Sequence, residues 1–131
     1  MTTDLTLAAY AVALTWLMVM SGAVIKSRGW SFAGFKVAVG NRESLEAATG
    51  VAGRADRAAK NMVENLPLFL GLVMVAHLGG RGGDRVVLGA HVWFWARVVY
   101  WPVYLIGIPY LRTLIWYVSI AGLAVIFTAL V

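Results

Sequence analysis

Polar side chains recur on one face of an otherwise apolar segment of this chain. Arg57, Lys60, Asn61 and Glu64 follow the spacing i, i+3, i+4, i+7 within residues 53–67, GRADRAAKNMVENLP. That spacing places all four on one face of an α-helix. Against lipid such a row is very unfavourable, so it must face other helices, a water-filled cleft or a polar ligand. The row is therefore the first candidate for a binding site.

A second set of polar side chains follows nearer the chain end. Arg97, Tyr100 and Tyr104 are spaced i, i+3, i+7, and Arg112 and Thr113 stand together after the Gly107-Ile108-Pro109 break. With both termini on the same side of a membrane, these residues and the first row would lie at the same depth. We expect one cluster at that depth.

The residue types in this cluster indicate what it would bind. Arginine forks suit carboxylates, a carboxylate such as Glu64 suits an ammonium group, and Asn61 both donates to and accepts from an amide. The complementary ligand is a small, anionic, peptide-like molecule with an amine, and glutathione meets that description. A cation or hydroxyl beside its thiol would favour the thiolate, the minority form at neutral pH because an unperturbed thiol pKa is about 8.5. Arg112 and Thr113 are the candidates for that role.

The composition places the chain in a membrane. Of its 131 residues 61% are hydrophobic and only 13% are charged, which is outside the range of ordinary soluble domains and leaves room for one domain. The net charge of +5 comes from clustered Lys and Arg, so nucleic acid is an improbable partner. The chain has no cysteine, so any thiol chemistry needs a thiol from a ligand. His77 and His91 lie away from the cluster and lack a third ligand, so no metal site is predicted.

Four apolar runs are long enough to span a bilayer, which takes about 20 residues each. They cover residues 5–25, 54–78, 86–108 and 110–131, and they predict a single all-α domain, an integral membrane four-helix bundle. The first run has Asp4 and no cation ahead of it, so we interpret it as a retained helix rather than a signal peptide.

Lys and Arg are concentrated in and beside the first and third connections. By the positive-inside rule these connections face the cytoplasm and both termini face outward. Residues 28–42 of the long first connection, RGWSFAGFKVAVGNR, are basic, aromatic and moderately apolar. They could lie along the lipid headgroups or cap the entrance of the site, and the sequence favours neither.

Two motif regions resemble those of a known family, the membrane-associated proteins in eicosanoid and glutathione metabolism (MAPEG). Residues 54–69, RADRAAKNMVENLPLF, are similar to the family's R-A-x-x-N-x-x-E-x-x-P-x-F region. Residues 97–113 are similar to its R-x-x-[HY]-x-x-x-Y region, which is followed by R-[ST]. The resemblance covers essentially the whole chain, and the two motifs together are more specific than either alone.

The resemblance implies a homotrimer that holds glutathione between neighbouring subunits near the cytoplasmic leaflet. Arg57, Lys60, Asn61 and Glu64 would bind the peptide from one subunit. The adjacent subunit would line the site with Arg97, Tyr100, Tyr104 and Arg112, and Arg112 would stabilise the thiolate. The chain departs from the pattern at Lys60, Tyr100 and Trp116, where the prostaglandin branch or other members have Arg, His and Tyr, so it looks closer to bacterial members. A bacterial inner membrane is the expected location.

These observations favour a glutathione transferase or a glutathione-dependent peroxidase that acts on a lipophilic small molecule. The alternatives are a non-catalytic lipid-binding or scaffold protein and an accessory subunit of a larger membrane complex. Locally, Arg57, Asn61 and Glu64 could instead form a polar clamp between helices. Arg97 and Glu64 could neutralise each other as a buried pair, and Arg112 could be an anchor to phosphate headgroups.

Overall fold

The computed structural model describes residues 1–40 and 48–131, and over these ranges it contains five helices and no strand. The helices are α1 (Thr3–Ser27), α2 (Phe32–Val39), α3 (Gly50–Leu78), α4 (Asp84–Ile106) and α5 (Pro109–Leu130). The Arg42, Glu43 and Glu46 of the predicted cytoplasmic connection lie outside the described residues. All but α2 are long and apolar enough to cross a membrane. The predicted fold class, an all-α membrane four-helix bundle, is confirmed.

The four long helices run alternately up and down. α1 packs mainly on α3, and α4 packs mainly on α5. α1 and α4 therefore end, and α3 and α5 begin, at one end of the bundle. We call this the basic end, because cationic side chains gather there, among them Lys26, Arg54, Arg57, Lys60 and Arg112.

Aromatic stacking joins the two helix pairs at the centre of the bundle. The rings of Phe69 on α3 and Trp93 on α4 are nearly parallel, with centroids 4.0 Å apart and an interplanar angle of 6°. Both side chains are fully buried. This contact fixes α3 against α4. The predicted site residues of both helices lie between it and the basic end.

α4 and α5 approach each other backbone to backbone. A Cβ atom on Gly89 would lie 2.7 Å from the carbonyl oxygen of Gly122, and one on Gly122 would lie 2.7 Å from the amide nitrogen of Trp93. Small residues that allow such approach are typical of helix contacts in membranes. The pair holds α5 at a fixed height and rotation beside α4.

The turn between α4 and α5 is set by Gly107. Its φ of 89° is favourable for glycine and costly for other residues, and its amide donates to the carbonyl of Val103. The helix therefore ends at Ile106 rather than at the expected residue 108. Pro109 then begins α5, where a missing amide hydrogen has no cost. Arg112 and Thr113 lie in the first turns of α5 as a result.

Candidate functional site at the basic end

A hydrogen bond between two helices forms the centre of the candidate site. Nη1 of Arg97 on α4 donates to Oδ1 of Asn61 on α3 at 2.7 Å. Asn65, one turn further along α3, donates from Nδ2 to the backbone carbonyl of Asn61 at 2.8 Å. Asn61 is thus held as an acceptor that faces α4, and it is the one member of the polar row that meets the second predicted set.

Arg97 is only 1% exposed and is held between aromatic rings. Its guanidinium carbon lies 5.5 Å from the centroid of a Trp93 ring and 5.3 Å from that of Tyr100, within the range of cation–π attraction. Its Nε and Nη2 atoms are buried and have no hydrogen-bond partner among the described residues. An unpaired buried donor is costly, and a cation more so. The guanidinium therefore retains donors that suit an anionic group or water.

A small polar cavity of about 210 Å³ adjoins this bond. It is lined by one residue of α3 and five of α4 and α5: Asn61, Tyr100, Tyr104, Arg112, Thr113 and Trp116. We call it the arginine cavity. The guanidinium carbon of Arg112 lies 4.7 Å from the centroid of the Tyr104 ring, which holds the cation against the wall. Five of the predicted site residues therefore meet here.

Thr113 makes a bond that bears on its predicted role. Its hydroxyl donates to the backbone carbonyl of Pro109 at 3.0 Å, a common arrangement for threonine inside a helix. A hydroxyl has one hydrogen, and the Pro109 carbonyl takes it, so in this state Thr113 can accept a hydrogen bond from a ligand but cannot donate one to it. Donation to a sulfur atom would require rotation about its χ1 bond, whereas the guanidinium of Arg112 has five N–H groups.

Lys60 and Glu64 lie on the other side of α3, in a crevice of about 460 Å³ between α1 and α3. Lys26 and Asp56 line the same crevice, with apolar walls from Val19, Gly22, Ala23, Ala59 and Val63. We call it the mixed-charge crevice, since two ammonium groups and two carboxylates meet there. Such a set suits a zwitterionic ligand that carries both charges. Glu64 is exposed here and does not pair with Arg97, so the possible buried pair is replaced by the bond to Asn61.

Lys26 and Asp56 line the mixed-charge crevice but were not among the predicted site residues. Asp56 precedes Lys60 by four residues, so helical spacing alone places the two side chains next to each other on α3. Lys26 had no such signal, because it lies in the last turn of α1 and reaches the crevice only through the packing of α1 on α3.

Arg57 lines neither the cavity nor the crevice. Its side chain is exposed, and its Nη1 lies 3.2 Å from the position that a Cβ of Gly53 would occupy. The arginine thus folds back along the first turns of α3. In this arrangement it adds positive charge to the basic end and lines neither site.

Arg54 connects α3 to the turn that begins α5. Its Nε donates to the backbone carbonyl of Leu105 at 2.8 Å, near the end of α4 where carbonyl groups lack helical partners. Its Nε also lies 3.2 Å from where a Cβ of Gly107 would stand. Arg54 therefore holds the α4–α5 turn, and through it the position of Arg112. The sequence motif contained this arginine but gave it no role.

The family model described as the MAPEG family matches residues 5–131. This chain belongs to the MAPEG family. Comparison with curated proteins and with solved structures found no match to this MAPEG protein. The family includes glutathione transferases and peroxidases, and its members commonly use glutathione.

Within this MAPEG chain the expected single cluster is divided in two. Asn61 faces the arginine cavity, whereas Lys60 and Glu64 face the mixed-charge crevice across the width of α3. The cavity alone is smaller than a typical small-molecule pocket, which takes roughly 300–1,000 Å³. The arginine cavity and the mixed-charge crevice therefore each contain only part of the polar side chains that would bind a peptide-like ligand.

Proposed function

We propose that this MAPEG protein binds glutathione and uses its thiolate against lipophilic electrophiles from the bilayer, as a transferase or a peroxidase. The observation that carries the proposal is the bond of Arg97 to Asn61, because it joins a buried guanidinium group to the amide that lines the arginine cavity together with Arg112. Guanidinium groups bind carboxylates in a bidentate manner, and buried ones stay charged.

The mixed-charge crevice supplies the remaining complementarity. Glu64 and Asp56 suit the ammonium group of glutathione, and Lys26 and Lys60 suit its carboxylates. A single chain presents the crevice and the arginine cavity on opposite sides of α3. We therefore propose a homotrimer in which the crevice of one subunit faces the cavity of the next, so that one tripeptide contacts both.

In the proposed reaction Arg112 stabilises the thiolate in the arginine cavity. The sulfur attacks an electrophilic carbon, a sulfur–carbon bond forms, and the leaving group departs or an opened ring oxygen takes a proton from water. With a hydroperoxide, two glutathione molecules become the disulfide while the substrate is reduced to an alcohol and water. The rate gain comes from the fixed cation beside the developing charge.

We also propose an orientation in the bilayer. The basic end faces the cytoplasm of a bacterial cell and both termini face outward, because the cations gather at the basic end and, of the described residues, only Arg81 and Arg85 mark the opposite end.

A second candidate function, lipid binding without catalysis, is favoured by one observation. A groove of about 530 Å³ runs between α3 and α5 with an almost wholly apolar lining: Pro67, Leu68, Gly71, Leu72, Ile120, Leu123, Ala124 and Phe127. A groove of this kind would hold an acyl chain. It does not account for the buried cation and the polar cavity at the basic end, so we rank it second.

Calorimetry of glutathione binding to the detergent-purified protein tests the first proposal. We expect binding by the wild type, loss of affinity in Glu64→Ala, and retained binding with lost conjugation of a model electrophile in Arg112→Ala. Arg85→Ala is the matched control, since it removes an exposed arginine at the opposite end of the bundle. No heat for the wild type would sink the glutathione proposal, and normal turnover in Arg112→Ala would reduce Arg112 to an anchor.

A further inference from the structure

The short helix α2 presents an apolar face that no other described helix covers. Phe32 is 78% exposed, Val39 is 69% exposed, and Phe35 is also exposed. These residues and Lys36 fall on one side of the helix by their spacing of three, four and seven. Trp30, just before the helix, is 70% exposed. Such a cluster is unfavourable in water.

α2 is fixed at the end of a membrane span. Its opposite side carries Gly34, which is buried and packs so closely on the backbone carbonyls of Ser27 and Arg28 that a Cβ atom has no room. Ser31 caps the helix by accepting from the amide of Gly34 at 3.0 Å. Since α1 ends at Ser27, α2 is held at the depth where α1 leaves the hydrocarbon.

The charges of this region are all positive. Residues 28–40 contain Arg28 and Lys36 and no Asp or Glu. The ammonium group of Lys36 lies 4.9 Å from the centroid of the Phe32 ring, so a cation stands within the apolar face. Aromatic side chains beside cations are typical of helices that lie in the interface of a bilayer and attract anionic lipids.

We propose that α2 is an interfacial helix that inserts Phe32, Phe35 and Val39 among lipids and recruits anionic phospholipid through its cations. Of the two possibilities that the sequence left open, the headgroup position is favoured over a cap on the site. The side of α2 that carries Gly34 packs on the end of α1. The opposite side, with Phe32, Phe35, Lys36 and Val39, matches a lipid surface in both polarity and charge. This proposal does not depend on glutathione.

A cysteine-specific nitrobenzoxadiazole label tests it, because the chain has no cysteine of its own. Phe35→Cys is labelled in vesicles of phosphatidylcholine mixed with phosphatidylglycerol, where one of the two lipids carries a nitroxide on its acyl chain. We expect bright emission that both nitroxide lipids quench, with stronger quenching by phosphatidylglycerol. Phe32→Cys is the second labelled variant in case the first does not fold, and Gly82→Cys in the exposed turn is the water-facing control.

Each other outcome overturns the proposal. Weak, unquenched emission means that the face is in water, and bright, unquenched emission means that protein covers it, either another part of the chain or a second copy. Equal quenching by the two lipids removes the anionic preference. Lys36→Gln in the labelled background should lower that preference by up to about fivefold, the factor that corresponds to one charge near an anionic surface.

Discussion

Arg97 donates to Asn61 across the contact between α4 and α3, at 2.7 Å, and Arg97 is almost fully buried. Each residue belongs to a different predicted set, and their bond is what joins the two sets within one chain. Because the cation has lost its water, the amide oxygen contributes to stability as well as to the shape of the arginine cavity.

Removal of Asn61 should destabilise the protein more than an ordinary surface change. We expect Asn61→Leu to lower the free energy of unfolding by about 1–3 kcal/mol, because a buried guanidinium N–H loses its acceptor. The double variant that adds Arg97→Met to Asn61→Leu should recover much of that stability. Neither variant should bind glutathione. Thermal unfolding of the wild type, the two single variants and the double variant in detergent gives the double-mutant cycle. Additive effects of the two substitutions would contradict an energetic coupling between Asn61 and Arg97.

Arg112 should act on the thiol through its charge. In Arg112→Ala the pKa of the bound thiol should rise towards its ordinary value of about 8.5, because the stabilising cation is gone. Turnover at neutral pH then falls by about 100-fold or more and recovers as the pH rises. Ultraviolet absorbance of the bound thiolate against pH checks this, with Arg85→Ala as the control. A pH profile that matches the wild type argues against the role.

A site between subunits predicts complementation. Glu64→Ala removes the crevice half of the site, and Arg112→Ala removes the cavity half. Co-expression of the two inactive variants should restore about a quarter of wild-type activity if they mix at random in a cyclic trimer, since each mixed trimer then has one intact site of three. Mixing the separately purified trimers is the control. No recovery in verified mixed trimers would place both halves in the same subunit.

Arg54 should act as a positioning residue for Arg112. Arg54→Met keeps much of the side-chain volume but removes the bond to the Leu105 carbonyl. We expect kcat to fall together with thiolate formation, while the affinity for glutathione changes less, because the α4–α5 turn loses its anchor. Arg54→Lys should restore part of the activity. If stability falls and the thiolate signal of the folded fraction is unchanged, Arg54 is purely structural.

The Gly89–Gly122 contact should not accept a larger residue. A Cβ at position 122 would lie 2.7 Å from the Trp93 amide nitrogen, so Gly122→Ala should cost about 1–3 kcal/mol from overpacking. Gly71→Ala is the matched control: it is also a glycine within a helix, and its Cβ would meet nothing within 4 Å. The control should be neutral or stabilising by about 0.5–1 kcal/mol. Equal unfolding temperatures for the two variants would contradict the close contact.

The sequence determined the four membrane-spanning helices and the candidate polar residues. A run of about 20 apolar residues has few alternatives to a spanning helix, because every backbone polar group must be satisfied within the bilayer. Helical spacing placed Arg57, Lys60, Asn61 and Glu64 on one face without any tertiary information. Both results depend on residue types and on their spacing along the chain, which can be read directly from the sequence.

Tertiary structure decided how that face is divided. Asn61 meets Arg97, whereas Lys60 and Glu64 turn towards Lys26 on α1, because α3 has a neighbouring helix on either side and one face is wide enough to serve both. Two other contacts also depend on close packing between helices: the bond from Arg54 to the Leu105 carbonyl and the contact of Gly34 with the end of α1. Such contacts depend on how the helices rotate and approach, and residue spacing along one helix does not fix that.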